Sequence, residues 1–261
     1  MISFASVRPA AASGRPATRL YIPEPLAAGV VVPLGDDNLH RLRNVLRLAS
    51  GATVTAFNER DGEFLCRIDT LRRSHGALHA IEQRRAPEPG PDVWLVFAPI
   101  KRARLEWVVE KATELGVAAF VPVMTARTQA ERVNRERLRV IAIAAAEQSQ
   151  RLSLPEIRPE VSLIRLLADW PADRRLILCD ESGAGQPMAE ALAEGPAGAP
   201  AAVFVGPEGG FAETELDALG KLSIVTRVGL GPRILRAETA ALAALAVYQA
   251  VAGDWRLIRR R

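Results

Sequence analysis

Ala202-Val-Phe-Val-Gly-Pro-Glu-Gly-Gly210 decides how this chain is read: an unbroken apolar run leads directly into a glycine-rich turn. An apolar run without alternation predicts a strand covered on both faces. Glycine lets the backbone turn sharply and lets a ligand approach it closely. In an open α/β sheet, ligands bind beyond the carboxyl ends of strands. Taken alone, Gly206–Gly210 fits a tight strand-to-helix turn as well as a ligand cradle.

A second segment of the same kind follows. Ile224-Val-Thr-Arg-Val228 reads as a buried strand, and Gly229-Leu-Gly-Pro-Arg-Ile-Leu-Arg236 connects it to an Ala-rich helix predicted over 237–252. Leu230, Ile234 and Leu235 either fill core or stand exposed as an apolar wall for a ligand. Upstream, Val93–Phe97, Ala119–Val123 and Leu176–Cys179 read as further strands, with helices over 105–115 and 132–150. Strands alternating with helices predict an α/β domain with a mainly parallel sheet. A dinucleotide-binding domain carries its glycine loop after the first strand. Here the glycine loops follow the last strands, and no phosphate-binding G-x-x-x-x-G-K-[ST] loop is present.

Before this domain, Ala86-Pro-Glu-Pro-Gly-Pro91 reads as a linker. Residues 18–86 predict a smaller β-rich unit. It has short strands at 19–22 and 29–33, a hairpin turning at Asn58–Gly62, and a further strand at 77–83. Asn38 to Arg47 predicts a helix burying Leu39, Leu42, Val45 and Leu46. Residues 1–17 lack a continuous apolar stretch and are expected to be a disordered extension, not a signal peptide.

The 261 residues are 49% hydrophobic and 25% charged, proportions of an ordinary globular protein. The net charge of +4 suits an anionic partner, although the arginine excess behind it also fits codon bias. The two cysteines, Cys66 and Cys179, and three histidines make neither a disulfide framework nor a metal motif. No apolar run is long enough for a membrane span, so the expectation is a cytoplasmic protein with no metal.

Four blocks in order carry a resemblance. They are Leu39-His-Arg-Leu-Arg-Asn-Val-Leu-Arg-Leu48, Lys101 through Lys111-Ala-Thr-Glu-Leu-Gly-Val117, Glu147-Gln-Ser-Gln-Arg151, and the two late glycine loops. Together they resemble the RsmE-type 16S ribosomal RNA uridine-N3 methyltransferases of the SPOUT superfamily, over nearly the whole chain from residue 18. The resemblance implies a PUA-like RNA-binding barrel over 18–86 and a SPOUT α/β methyltransferase domain over 92–261. It further implies a C-terminal deep trefoil knot, a homodimer, and S-adenosylmethionine held by backbone groups of the knot loops. By motif match, those loops contain Leu178, Cys179, Gly206, Pro207, Glu208, Gly210, Leu230, Gly231, Ile234 and Leu235. Two positions depart from the family pattern. Gln150 stands where a small residue is frequent, and Ala212 replaces a helix-capping Ser or Thr, a loss of about 1 kcal/mol that Glu213 is expected to offset in part.

The implied reaction is displacement at a sulfonium methyl, with alignment of the uracil nitrogen as the main task. Arg236 is the expected catalytic residue. Always protonated, it orients the uracil and stabilises charge on its oxygens, or else forms a structural ion pair with Glu238 or Glu208. Glu147, Glu208, Glu238 and water are the candidate bases. Arg41, Arg43, Arg47, Arg127 and Arg151 are expected to contact RNA of the small ribosomal subunit. The alternatives are a SPOUT enzyme modifying a ribose 2′-hydroxyl, or a non-catalytic ribosome-assembly factor.

Overall fold

The computed structural model describes residues 15–128, 132–196 and 198–256. Most of the expected N-terminal extension lies outside these residues. Order begins no later than Ala17, whose N–H donates to the Thr53 carbonyl. The chain forms two compact units, one ending at Glu88 and the other beginning at Pro89.

The first unit is a five-stranded mixed sheet. Its strands are β1 (Arg19–Tyr21), β2 (Val31–Pro33), β3 (Thr53–Asn58), β4 (Gly62–Leu71) and β5 (Gly76–Arg85), in the order β1-β3-β4-β5-β2. Only the β1–β3 pair is parallel. The predicted hairpin is β3–β4. Gly62 there has φ +85°, and the Asn58 and Asp61 side chains tie the turn together. Hydrogen bonds from Arg60, Leu26 and Asn58 hold the Asp61 carboxyl well below the usual carboxylate range.

The helix expected over 38–47 differs from its prediction. It starts as α1 (Asp36–His40) and continues as a π-helical turn over Arg41–Val45. A π turn adds one residue to the helical repeat. Leu39 and Leu42 therefore stay buried while Val45 and Leu46 swing out to solvent.

The second unit is built on a parallel sheet whose strands are paired in the order β11-β13-β10-β12-β6-β7-β8. These are β6 (Val93–Phe97), β7 (Ala119–Met124), β8 (Glu156–Ile157), β10 (Arg175–Cys179), β11 (Gln186–Pro187), β12 (Ala201–Val205) and β13 (Val225–Gly229); β9 (Val161–Ser162) pairs with the far end of β7. The apolar runs at 93–97, 119–123, 176–179 and 202–205 are its central strands, whereas β13, expected to be buried, lies next to the edge and buries only Val228. One core lies on the face formed by Val93, Leu95, Phe120, Ile177 and Val203, and another on the face formed by Trp94, Val121, Leu176, Leu178 and Phe204. Helices α2 (Arg102–Glu114), α3 (Arg135–Ser149), α5 (Met188–Ala193) and α7 (Ala237–Val251) supply residues to the first core. Helices α4 (Leu163–Ala168) and α6 (Glu213–Gly220) supply the second.

Local signals explain the long helices. Asn134 caps α3 by accepting from the Arg137 N–H at 3.0 Å. Gln150 ends α3 in the left-handed region at φ +61°, a conformation that favours the small residue frequent there in the family. Gly116, at φ +85°, stops α2.

Phe120 is fully buried and meets the Phe97 ring edge-on at 6.5 Å. Phe120→Ala is expected to lower unfolding free energy by about 3–5 kcal/mol in chemical denaturation. A loss below about 1 kcal/mol would contradict this packing.

Candidate active site

The strands β10, β12 and β13 end side by side. Cys179 pairs with Val205 on one side and with Val228 on the other. The three segments that follow them surround a cavity of about 470 Å³. That volume suits a nucleoside-sized ligand.

After β12, the turn at Gly206–Gly210 closes through the Gly210 N–H donating to the Pro207 carbonyl at 2.9 Å. Gly210 has φ +68°, which disfavours any side chain. A Cβ on Gly206 would stand 2.7 Å from the Phe211 ring, which itself packs edge-on against Phe204. These two glycines are thus required by backbone conformation and by close approach, respectively.

The following helix, α6, has Ala212 at its N-cap, with no oxygen to offer. Glu213 stands in its first turn, as expected, and Glu215 there compensates further. Its carboxylate accepts from the Ala212 N–H at 2.9 Å and from the Ala126 N–H at 2.8 Å. This is the acidic half of a capping box, and it also ties α6 to the segment after β7.

After β13, Leu230 and Leu235 pack partly against the core, so they answer both readings of this loop: core filler and cavity wall. Ile234 is 84% exposed. Arg236 is the N-cap of α7 and lines the cavity. The ion pairs considered for it go elsewhere. Arg104 reaches Glu238 at 3.5 Å and Glu208 at 3.7 Å, bridging α7 and the loop after β12. Arg236 has no ion pair among the described residues.

Of the residues matched to cofactor loops, Cys179, Gly206, Pro207, Glu208, Gly210, Leu230, Gly231, Ile234 and Leu235 line the cavity. Leu178 does not. Its side chain points to the opposite face of the sheet, in the core with Phe204, because side chains alternate along a strand. Of the candidate bases, Glu208 lines the cavity, whereas Glu147 is buried near the end of α3 and is not among the lining residues.

The sequence reading missed Asp180 and Glu181, which follow β10 and also line the cavity. Asp180 is buried, and burial alone would raise its pKa. Hydrogen bonds from Ser182 and Arg227 outweigh that and hold the carboxyl below its ordinary range. Acidic residues at the end of an apolar strand were the available signal.

The five arginines expected to meet RNA divide. Arg43 and Arg47 are exposed, and Arg41 is half-buried with an Nη2 3.4 Å from the Thr18 hydroxyl. Arg127 is exposed and donates to the Gly209 carbonyl at 2.9 Å. Arg151 departs from the expectation. Its guanidinium is turned inward, donating to the Thr113 and Val117 carbonyls at 2.8 and 2.9 Å, where it caps the end of α2. No group of three or more potential metal ligands occurs among the described residues.

A glycine-framed cavity at the carboxyl ends of parallel strands, in a chain whose residues 87–249 match the RNA methyltransferase domain model, places the protein among the RNA methyltransferases. Ribosomal RNA small subunit methyltransferase E of Rickettsia conorii is 32% identical over 229 residues, covering 87% of this chain and 93% of that protein. The Bacillus subtilis protein of the same name is 31% identical, over 80% and 86%. The chain belongs to the ribosomal RNA small subunit methyltransferase E family. Two solved structures match nearly end to end. The Neisseria gonorrhoeae family member, bound to S-adenosyl methionine, has a TM-score of 0.79 at 31% identity, covering 91% of this chain and 99% of that one. A Legionella pneumophila methyltransferase in complex with the same cofactor has a TM-score of 0.81 at 29% identity, over 92% and 100%.

Burial pushes the Cys66 thiol up to about 12. At pH 8 the reactive thiolate is then on the order of one part in ten thousand. Cys66, fully buried in the first unit, should resist iodoacetamide in the native protein and label in denaturant, as read by peptide mass mapping. Rapid native labelling of Cys66 would contradict this burial.

Proposed function

We propose that this protein transfers a methyl group from S-adenosylmethionine to N3 of a specific uridine in 16S ribosomal RNA. The observation that carries the reading is the cavity framed by the ends of β10, β12 and β13. Its walls hold the two matched glycine loops, the second of which ends on Arg236.

The lining fits the cofactor. Val205, Phe211, Leu230 and Leu235 offer apolar walls for an adenine ring, and the glycines expose backbone groups to its edges. When bound, S-adenosylmethionine supplies a methyl carbon on a positively charged sulfur. The protein's own work is then alignment and charge stabilisation. Arg236 is unencumbered by ion pairs among the described residues, and it orients the uracil and steadies negative charge on its oxygens. Glu208 lines the cavity and, of the carboxylates considered, is the one placed to take the imide proton, directly or through water.

The finer architecture belongs to the same proposal. The unit over 18–86 acts as a PUA-like RNA-binding module, with Arg41, Arg43 and Arg47 on phosphates and Arg127 beside the glycine loop of the methyltransferase domain, residues 92–261. The connection from β12 to β13 crosses to the far side of β10, an arrangement compatible with a deep trefoil knot. The chain works as a homodimer, and the exposed Ile234 at the cavity rim is an apolar group such an interface would cover. It acts in the cytoplasm on RNA of the small subunit; no helix among the described residues is long and apolar enough to cross a membrane.

Two measurements test this. Nucleoside mass spectrometry of 16S RNA from a deletion strain, before and after treatment with purified protein, should show 3-methyluridine only after treatment. A 2′-O-methylated product would transfer the assignment to ribose chemistry. Arg236→Ala should abolish methyl transfer while cofactor affinity, measured by calorimetry, stays within about twofold of wild type. Near-normal turnover would remove Arg236 from the mechanism.

A further inference from the structure

We infer that Glu181 is a specificity-determining residue whose carboxylate favours the positively charged cofactor over the neutral product of methyl transfer. This rests on the proposed use of S-adenosylmethionine.

The residue before it is locked. The Asp180 N–H donates to the Val228 carbonyl at 2.9 Å, tying the end of β10 to β13. The Asp180 carboxylate accepts from the Ser182 N–H and hydroxyl, each at 2.9 Å, and from Arg227 at 2.6 and 3.0 Å. A loop pinned at both backbone and side chain presents its next residue in a defined direction. Glu181 is turned outward onto the cavity wall. Its carboxylate rests against the other glycine loop: a Cβ on Gly210 would lie 2.3 Å from Glu181 Oε1.

The charges around the cavity then sort themselves. Asp180 is balanced by Arg227, and Glu208 faces Arg104. Glu181 has no ion pair among the described residues, so its charge stays available to a ligand. Arg233 and Arg236 lie on the loop after β13, so the cavity has a negative wall after β10 and a positive one after β13. Methyl transfer turns a sulfonium into a neutral thioether, removing one positive charge from the ligand. A fixed negative charge on the wall interacts with the ligand before that change and loses the interaction after it. Across a partly solvated cavity, one such charge is worth roughly three- to tenfold in affinity. Glu181 thereby assists both capture of the cofactor and release of S-adenosylhomocysteine.

Calorimetry with S-adenosylmethionine and S-adenosylhomocysteine on wild type, Glu181→Gln and Glu181→Lys is the test. In Glu181→Gln, affinity for S-adenosylmethionine should fall about three- to tenfold while that for S-adenosylhomocysteine stays within about twofold. The latter also reports that the site is folded. Glu181→Lys should shift the ratio further in the same direction, and added salt should shrink the wild-type ratio. Equal losses for both ligands, or no loss for either, would overturn the inference. Failure of the wild type to bind S-adenosylmethionine at all is a different result, and it overturns the methyl-transfer reading itself.

Discussion

Parallel pairing of β10 with both β12 and β13 is the constraint on which the rest of the second unit depends. Hydrogen bonding on both edges fixes the level at which Cys179, Val205 and Val228 end. Parallel strands point their carboxyl ends the same way, so the three following segments must converge. The convergence makes the cavity, and the glycines make it possible at Gly206 and Gly210. Along β10 and β12, burial on both faces leaves no freedom of register, since a one-residue slip would exchange the two cores.

Around that frame, arginines act as struts. Arg227 holds the turn after β10, Arg104 bridges the loop after β12 to α7, and Arg151 joins the Thr113 carbonyl at the end of α2 to the Val117 carbonyl beyond it. Arg158 and Arg174 stack on the Trp94 ring at 3.8 and 3.7 Å. A planar guanidinium with five donors satisfies several acceptors at once, which a lysine cannot do. Part of the arginine excess that suggested an anionic partner is therefore spent inside the fold. Arg43, Arg47 and Arg127, by contrast, stay exposed.

The two departures from the family pattern are absorbed locally. Ala212 cannot cap α6, and the Glu215 carboxylate takes over one backbone donor there while tying the helix to Ala126. Gln150 accepts a left-handed conformation at the end of α3, a strained position for a residue with a side chain, and the next residue anchors the turn. Neither adjustment involves a residue of the cavity wall.

The sequence by itself determined the class of fold, the core strands, the two glycine loops and the family, because those rest on local signals. An apolar run is legible as a buried strand, and a glycine turn after it is legible as a possible cradle. What only the tertiary structure decided were partners distant along the chain. That Leu178 faces away from the cavity follows from strand alternation once the sheet is formed. That Glu238 and Glu208 pair with Arg104, leaving Arg236 without them, depends on three elements meeting. The inward turn of Arg151 and the outward swing of Val45 and Leu46 likewise depend on neighbours and helical pitch. Glu181 shows the limit most plainly. In the sequence it is one acidic residue among many. Its contact with Gly210 exists only because pairing of β10 with β12 brings two loops nearly thirty residues apart to the same wall.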